Sequence, residues 1–137
     1  MKYRLIDHTA DIGIQVFGAD LTELFENAAR GMFEIMTDID TLKGKTHQAV
    51  DIEGDDWPDL MVNWLRELLY LWTGGVMLVK CADIQSISEY KLSAKVTVDP
   101  YDPERHVIKE EIKAVTYHQI DVHKGSTSWK SKIIFDV

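Results

Sequence analysis

The chain has 137 residues, 45% of them hydrophobic, with 15 Lys and Arg against 23 Asp and Glu and a formal net charge of −8. That length is near the commonest for one domain with its own core, and the acidic balance opposes direct capture of a phosphate backbone. The lone cysteine, Cys81, excludes an intramolecular disulfide and a multi-cysteine metal site, and no apolar run approaches the ~18 residues of a membrane span.

In chain order, "YRLIDHT" and "IGIQVFG" read as short strands flanking a polar cluster of Asp7, His8 and Asp11. "LTELFENAARGMFEIM" follows helical spacing, with Leu21, Leu24, Phe25, Ala28, Ala29, Met32, Phe33 and Met36 on one stripe. Asp20 with Glu23 resembles a capping box at its start. "THQAVDIEG" is expected as an edge strand. "WPDLMVNWLRELLYLWTGG" is a second amphipathic helix, with Pro58 in its first turn and Gly74-Gly75 at its end. Trp64, Tyr70 and Trp72 fall at helical spacing and are expected in the core. So is Cys81, inside the apolar run "VMLVKCADI". "VMLVKCADIQSISEY", "KLSAKVTVD" and "SWKSKIIFDV" are β-rich, and "EEIKAVTYHQIDVH" fits either a short helix or a strand. No repeat or linker divides the chain. The expectation is one α+β domain over residues 1–137, a mixed β-sheet with two amphipathic helices packed on one face. With no signal core at the start, a cytoplasmic, reduced protein is the default.

The polar groups raise the functional question. Asp7 or Thr9 can cap a turn, as such residues commonly do. Asp38, in "MTDID", follows the first helix, where the dipole disfavours a carboxylate by roughly 0.3–1 kcal/mol. Either a nearby cation or donor offsets that, or Asp38 forms an Asx turn. The final apolar strand ends in "IIFDV", which fixes Asp136 beside the α-carboxylate of Val137 if the strand is docked. Two anionic groups on one rigid strand end call for compensation, and a hard divalent cation bound by oxygen is a natural one.

"DHTADIGI", "WLRELLYLW", "EIKAVTYH" and "IIFDV", in this order and spacing, resemble the archease family across essentially the whole chain. That resemblance implies an α+β fold and a protein that assists RtcB-type RNA ligases in tRNA splicing and RNA repair. It implies a cofactor protein rather than a catalyst, promoting guanylylation and repeated turnover of the ligase. It also implies a divalent metal, calcium first and Mn or Mg as alternatives, held by Asp11, Asp136 and Val137. Asp38 matches the family's acidic position after the first helix. Lys113 matches the lysine used at the ligase interface, and His118 the histidine of the same motif; His8 belongs to the first motif. The chain departs from the pattern in "VDPYDPERH", where Asp99-Pro100 stands in place of the usual Gly-Glu, while Arg105-His106 matches.

Two rival readings belong to other classes. A metal-dependent phosphoester hydrolase would use Asp11 and Asp136 on the metal and His8 or His118 as general base. Against it, the sequence has no HExxH, P-loop or Gly-rich phosphate cradle. A chaperone-like modulator of other tRNA-modifying enzymes would need an exposed apolar patch. The expected partner is the ligase, with no stable direct nucleic-acid binding and no membrane; composition leaves the oligomeric state open.

Overall fold

The structure, a computed structural model, describes residues 1–7 and 11–137, the side chain of Asp7 excepted. Its described residues form strands β1 (Tyr3–Asp7) and β2 (Asp11–Gly18), helix α1 (Leu21–Met36) and a 3-10 turn (Ile39–Thr41). There follow β3 (Thr46–Glu53), helix α2 (Trp57–Gly75), β4 (Met77–Ser88), β5 (Lys91–Pro100), β6 (Ala114–Val115), β7 (Asp121–Lys124) and β8 (Trp129–Asp136).

Both helices start by the same device. Asp20 accepts the Glu23 N–H at 2.8 Å, and Asp56 accepts the Asp59 N–H at 2.8 Å. The acid in the first turn reaches back: Glu23 accepts from the Ala19 N–H at 3.2 Å, and Asp59 from the Asp55 N–H at 2.8 Å. These bonds satisfy donors that a helix start leaves open. Each strand enters the device through a glycine. A Cβ on Gly18 would lie 2.4 Å from the Leu24 nitrogen, and one on Gly54 2.6 Å from the Leu60 nitrogen. Only hydrogen fits there.

The far end of α2 is less comfortable. Gly74 and Gly75 are its last residues, and the left-handed cap position falls on Val76, at φ 54 and ψ 40. A branched side chain is strained in that region.

The helices bury more than one stripe. Helix α1 buries Asn27, Ala28, Ala29 and Gly31 as well as its large apolar residues, and α2 buries Val62 and Leu71 beside Leu60, Met61, Trp64, Leu65, Leu68, Leu69 and Trp72. Such width needs cover on two sides. Two sheets supply it. The first runs β1-β2-β8-β6, with β7 also on β8; the second runs β3-β5-β4; every pairing is antiparallel. Each helix touches strands of both sheets. Trp64 ties the helices together, its Nε1–H donating to the Phe25 carbonyl at 2.9 Å in the core.

The α+β class with two helices is therefore as the sequence indicates, and β3 is an edge strand. In place of one mixed sheet with helices on one face, the helices lie against two antiparallel sheets. "EEIKAVTYHQIDVH" holds β6 and β7 and no helix. Two core assignments are corrected. Cys81 is exposed: a bulge between Val79 and Cys81 puts it opposite Thr97, off the face it would share with Val79 in a regular strand. Tyr70 is 65% exposed, in line with Arg66 and Glu67 on the polar side of α2. Trp64 and Trp72 are buried as expected.

Candidate functional site

Strand β8 lies between β2 on one side and β6 and β7 on the other, and that placement assembles the site. Along the β2–β8 ladder Asp11 stands directly opposite Asp136. Direct partners in an antiparallel pair project to the same face with Cβ atoms about 4.5–5.5 Å apart, and like charges so placed are destabilising. On the other side of β8, Asp136 is opposite Ala114, and the Lys113 N–H donates to the Asp136 carbonyl at 2.7 Å. The strand end is docked: Val137 packs against the core while Asp136 is exposed. Asp11, Asp136, Val137 and Lys113 thus meet at one end of one sheet. His8 lies outside the described residues.

Carboxylate oxygens set side by side in this way are the donors a hard divalent cation takes. Among the described residues, no group of three or more His, Cys, Asp or Glu converges as a complete ligand set. The described part of the tip therefore offers a two-carboxylate edge, with Val137 next to it.

Asp38 follows the Asx-turn alternative. It caps the 3-10 turn, accepting the Asp40 N–H at 3.1 Å, while Thr41 Oγ1 donates to the Asp38 carbonyl at 2.7 Å. Its exposed side chain lines a cleft of about 690 Å³ that also takes in Tyr3, Leu5, Ile12, Arg30 and Lys109. The cleft holds a chain that sequence reasoning did not single out. Arg30 pairs with Glu34 at 2.6 Å, and the Tyr3 hydroxyl donates to the same carboxylate. Burial, the bond to Glu34 and the Glu34 charge push the Tyr3 phenol up to about 12, against the opposing charge of Arg30. The spacing of Arg30 and Glu34, one helical turn apart, was the available signal.

His118 is exposed in the turn between β6 and β7, its N–H donating to Thr116 Oγ1 at 3.3 Å. Among the described residues no hydrogen bond joins its side chain to the carboxylate pair. Its neighbour Tyr117 makes the stronger contact: the hydroxyl donates to Asp59 Oδ1 at 2.7 Å, and Arg66 lies 4.6 Å from the ring centroid. Arg66 Nε–H also donates to the Val115 carbonyl at 3.0 Å. Tyr117 first, then the Asp55 N–H, hold the Asp59 carboxyl below its ordinary range, and Asp59 in turn raises the Tyr117 phenol. Helix α2 and the β6–β7 segment are joined there.

The departure at Asp99 has a structural role. Asp99 is only 6% exposed. Its Oδ2 accepts the Lys43 N–H at 2.9 Å, and Arg105 donates to both carboxylate oxygens, at 3.2 and 3.4 Å. Burial alone would raise its pKa; the Lys43 N–H and Arg105 outweigh that and hold it below the ordinary range. His106, 1% exposed, accepts the Asp102 N–H at Nδ1, so its ring hydrogen is assigned to Nε2. Nε2 sits 3.2 Å from Asp99 Oδ2, close enough for electrostatic attraction but too misdirected to count as a hydrogen bond. This cluster anchors the segment that carries Lys109 to the cleft and Lys113 to Asp136.

No helix of the described residues is long and apolar enough to cross a membrane. Residues 3–137 match the Archease protein family. Protein archease of Methanosarcina mazei is 36% identical over 140 residues, covering 99% of this chain and 96% of that protein. Protein archease of Pyrococcus abyssi is 33% identical, covering 99% of each. Among solved structures, protein 1598 of Methanobacterium thermoautotrophicum is similar with a TM-score of 0.79, at 30% identity and 99% coverage of both chains. A Thermotoga maritima protein described as an archease and possible chaperone shares the fold, with a TM-score of 0.65 at 23% identity, over 96% of this chain and 94% of that one.

Proposed function

The chain belongs to the archease family, and from that premise we propose that it is a protein cofactor of an RtcB-type RNA ligase. In this reading it promotes guanylylation and repeated turnover of the ligase in tRNA splicing and RNA repair, and is not itself the catalyst. The observation that carries it is the direct opposition of Asp11 and Asp136 across the β2–β8 ladder. A ladder position that sets two carboxylates face to face costs stability unless something cationic meets them. The α-carboxylate of Val137 completes the proposed acidic tip, and Asp11, Asp136 and Val137 are the residues that would hold a divalent ion, calcium first. A hard divalent ion held by these oxygens would supply positive charge that offsets the acids of the tip.

The chain's own residues supply the rest. Lys113 is fixed at the acidic end of the sheet by its backbone bond to Asp136, with its side chain exposed. It is placed to contact the ligase or a phosphate at its active site, while Asp38 and His118 mark the edges of the proposed contact surface. The acidic charge steers approach to a basic, metal-loaded enzyme, which sets encounter rate and orientation more than affinity.

The test is turnover of the cognate ligase, with the guanylylated intermediate followed directly. Adding this protein should convert slow or single-turnover ligation into repeated turnover, and the protein alone should ligate, cleave and guanylylate nothing. Extending Val137 by a C-terminal tag should impair stimulation, and an N-terminal tag should impair it less. Full stimulation by the C-terminally tagged form would remove Val137 from the site. Metal-dependent hydrolysis of RNA or nucleotide by the isolated protein, lost in Asp11→Ala, would establish a hydrolase instead.

A further inference from the structure

We propose that the outer face of the β1-β2-β8-β7 sheet is a weak platform for single-stranded nucleic acid, a property of this chain's own surface that does not rest on the ligase reading. The register writes the face out row by row. Residues two apart in a strand share a face, and burial shows which face is which. Ile14, Val16, Ile133 and Phe135 belong to the main core, whereas Phe17, on the opposite face, is half-buried, and Ile134, also on that face, is buried at 1% exposure. From the carboxylate end, the outer face therefore reads Asp11 and Asp136, then Ile6, Gly13 and Ile134. Next come Arg4, Gln15, Lys132 and Asp121, and finally Phe17, Lys130 and His123. An apolar row separates the acids from the cations.

Asp121 stands across the ladder from Lys132, yet the cationic side chains with a hydrogen bond here bond to neutral groups. Arg4 donates to Gln15 Oε1 at 2.7 and 3.0 Å, and Lys132 Nζ to Gln119 Oε1 at 2.5 Å, both neutral partners. The nearby acid, Asp121, accepts the backbone N–H of Lys132 at 2.8 Å and faces His123 Nδ1 at 3.7 Å. Among the described residues Arg4, Lys130 and Lys132 form no ion pair, in a chain where 23 acids outnumber 15 bases. A local positive row on an acidic molecule complements an anionic partner.

Spacing and shape narrow the partner. Lys130 and Lys132 are two strand positions apart, about 6.7 Å, close to the separation of successive phosphates on an extended single strand. Phe17 lies directly across the ladder from Lys130, beside an open recess of about 360 Å³ also lined by Met1, Gly18, Ala19, Thr127, Ser128 and one acid, Glu23, whose carboxylate accepts the Ala19 N–H. An open sheet face with an aromatic ring for a base and flanking cations for phosphates is how single strands are held. An acidic peptide would use the cations but leave the ring without a partner. Three cations give a log–log salt slope of about −2, so the contact fades at physiological salt and counts only when the strand is already held nearby.

The experiment is amide NMR of the whole protein titrated at low salt with a short oligouridylate. Shifts should concentrate on Arg4, Gln15, Phe17, Lys130 and Lys132. Lys130→Gln and Lys132→Gln should each weaken binding and flatten the salt slope by about 0.7, with the rest of the spectrum unchanged. Absence of shifts at low salt, or shifts centred on the cleft and Lys113, overturns the proposal. So does an equal response to polyglutamate, which would assign the face to an acidic protein segment.

Discussion

A carboxylate can be held by what surrounds it or left to be met by something else, and this chain shows both. Asp99 is held: buried, bonded by Lys43 and Arg105, with a pKa below the ordinary range. The unfolded chain then binds its proton more tightly than the native one, so stability rises with pH through this group. Its contribution should be complete above the ordinary Asp value of about 3.9 and should be lost as pH falls through that value towards the lower native one. Urea unfolding of Asp99→Asn should show a loss of about 1–3 kcal/mol near neutrality and a shallower decline in acid than wild type. An unchanged acid limb would show that another group governs it. Asp11 is the opposite case, paired across the ladder with a like charge. Asp11→Ala should abolish ligase stimulation while leaving the thermal melt unchanged or raised by a few tenths of a kcal/mol, because a repulsion goes with it. Normal stimulation by this variant would reduce the acidic tip to a turn.

At the scale of elements, the amphipathic helices and the β-rich second half were legible because periodicity and caps are local signals. The sequence carries Gly-x-Asp-x-x-acid-Leu at both helix starts, Gly18 to Leu24 and Gly54 to Leu60; at the second the acid is an Asp, outside the usual Glu or Gln of a capping box. What was not legible depended on partners distant in sequence. The bulge that exposes Cys81 is defined only against β5, and the division into two sheets depends on how wide a face each helix buries. Within the site, the motifs named the residues, but only register could place Asp11 against Asp136. Asp38 shows the reverse, since its turn was a local alternative in plain view. The end of α2 gives a test of local strain. Val76→Gly should stabilise the protein by up to about 1 kcal/mol, because glycine takes the left-handed cap without strain. The gain is reduced by glycine's greater freedom in the unfolded chain. A melt shifted downwards would show that the Val76 side chain contributes more than its backbone costs. Leu68→Ala, in the fully buried helix core, should cost about 2–5 kcal/mol and lower ligase stimulation only in proportion to unfolding.

Over the whole molecule, a charge of −8 acts on encounter before contact. With screening over about 8 Å at physiological salt, the association rate with the ligase should fall as salt rises while dissociation changes less. Stopped-flow mixing across a salt series separates the two. A salt-dependent dissociation rate with constant association would place the charge effect inside the complex instead. Topology adds a constraint of another kind. Strand β8 is the last in chain order and yet sits between β2 and the β6 and β7 strands. On the ribosome, β1 and β2 emerge early and wait for a centre that is translated after every other strand. Throughout that interval β2 offers an open ladder edge to neighbouring chains, a template for mispairing. The acidic edge cannot exist until β8 slides in, so a stalled or cleaved nascent chain displays no half-built version of it. Docking of β8 is thus the event that sets Asp136 opposite Asp11 and creates the surface on which the proposed activity depends.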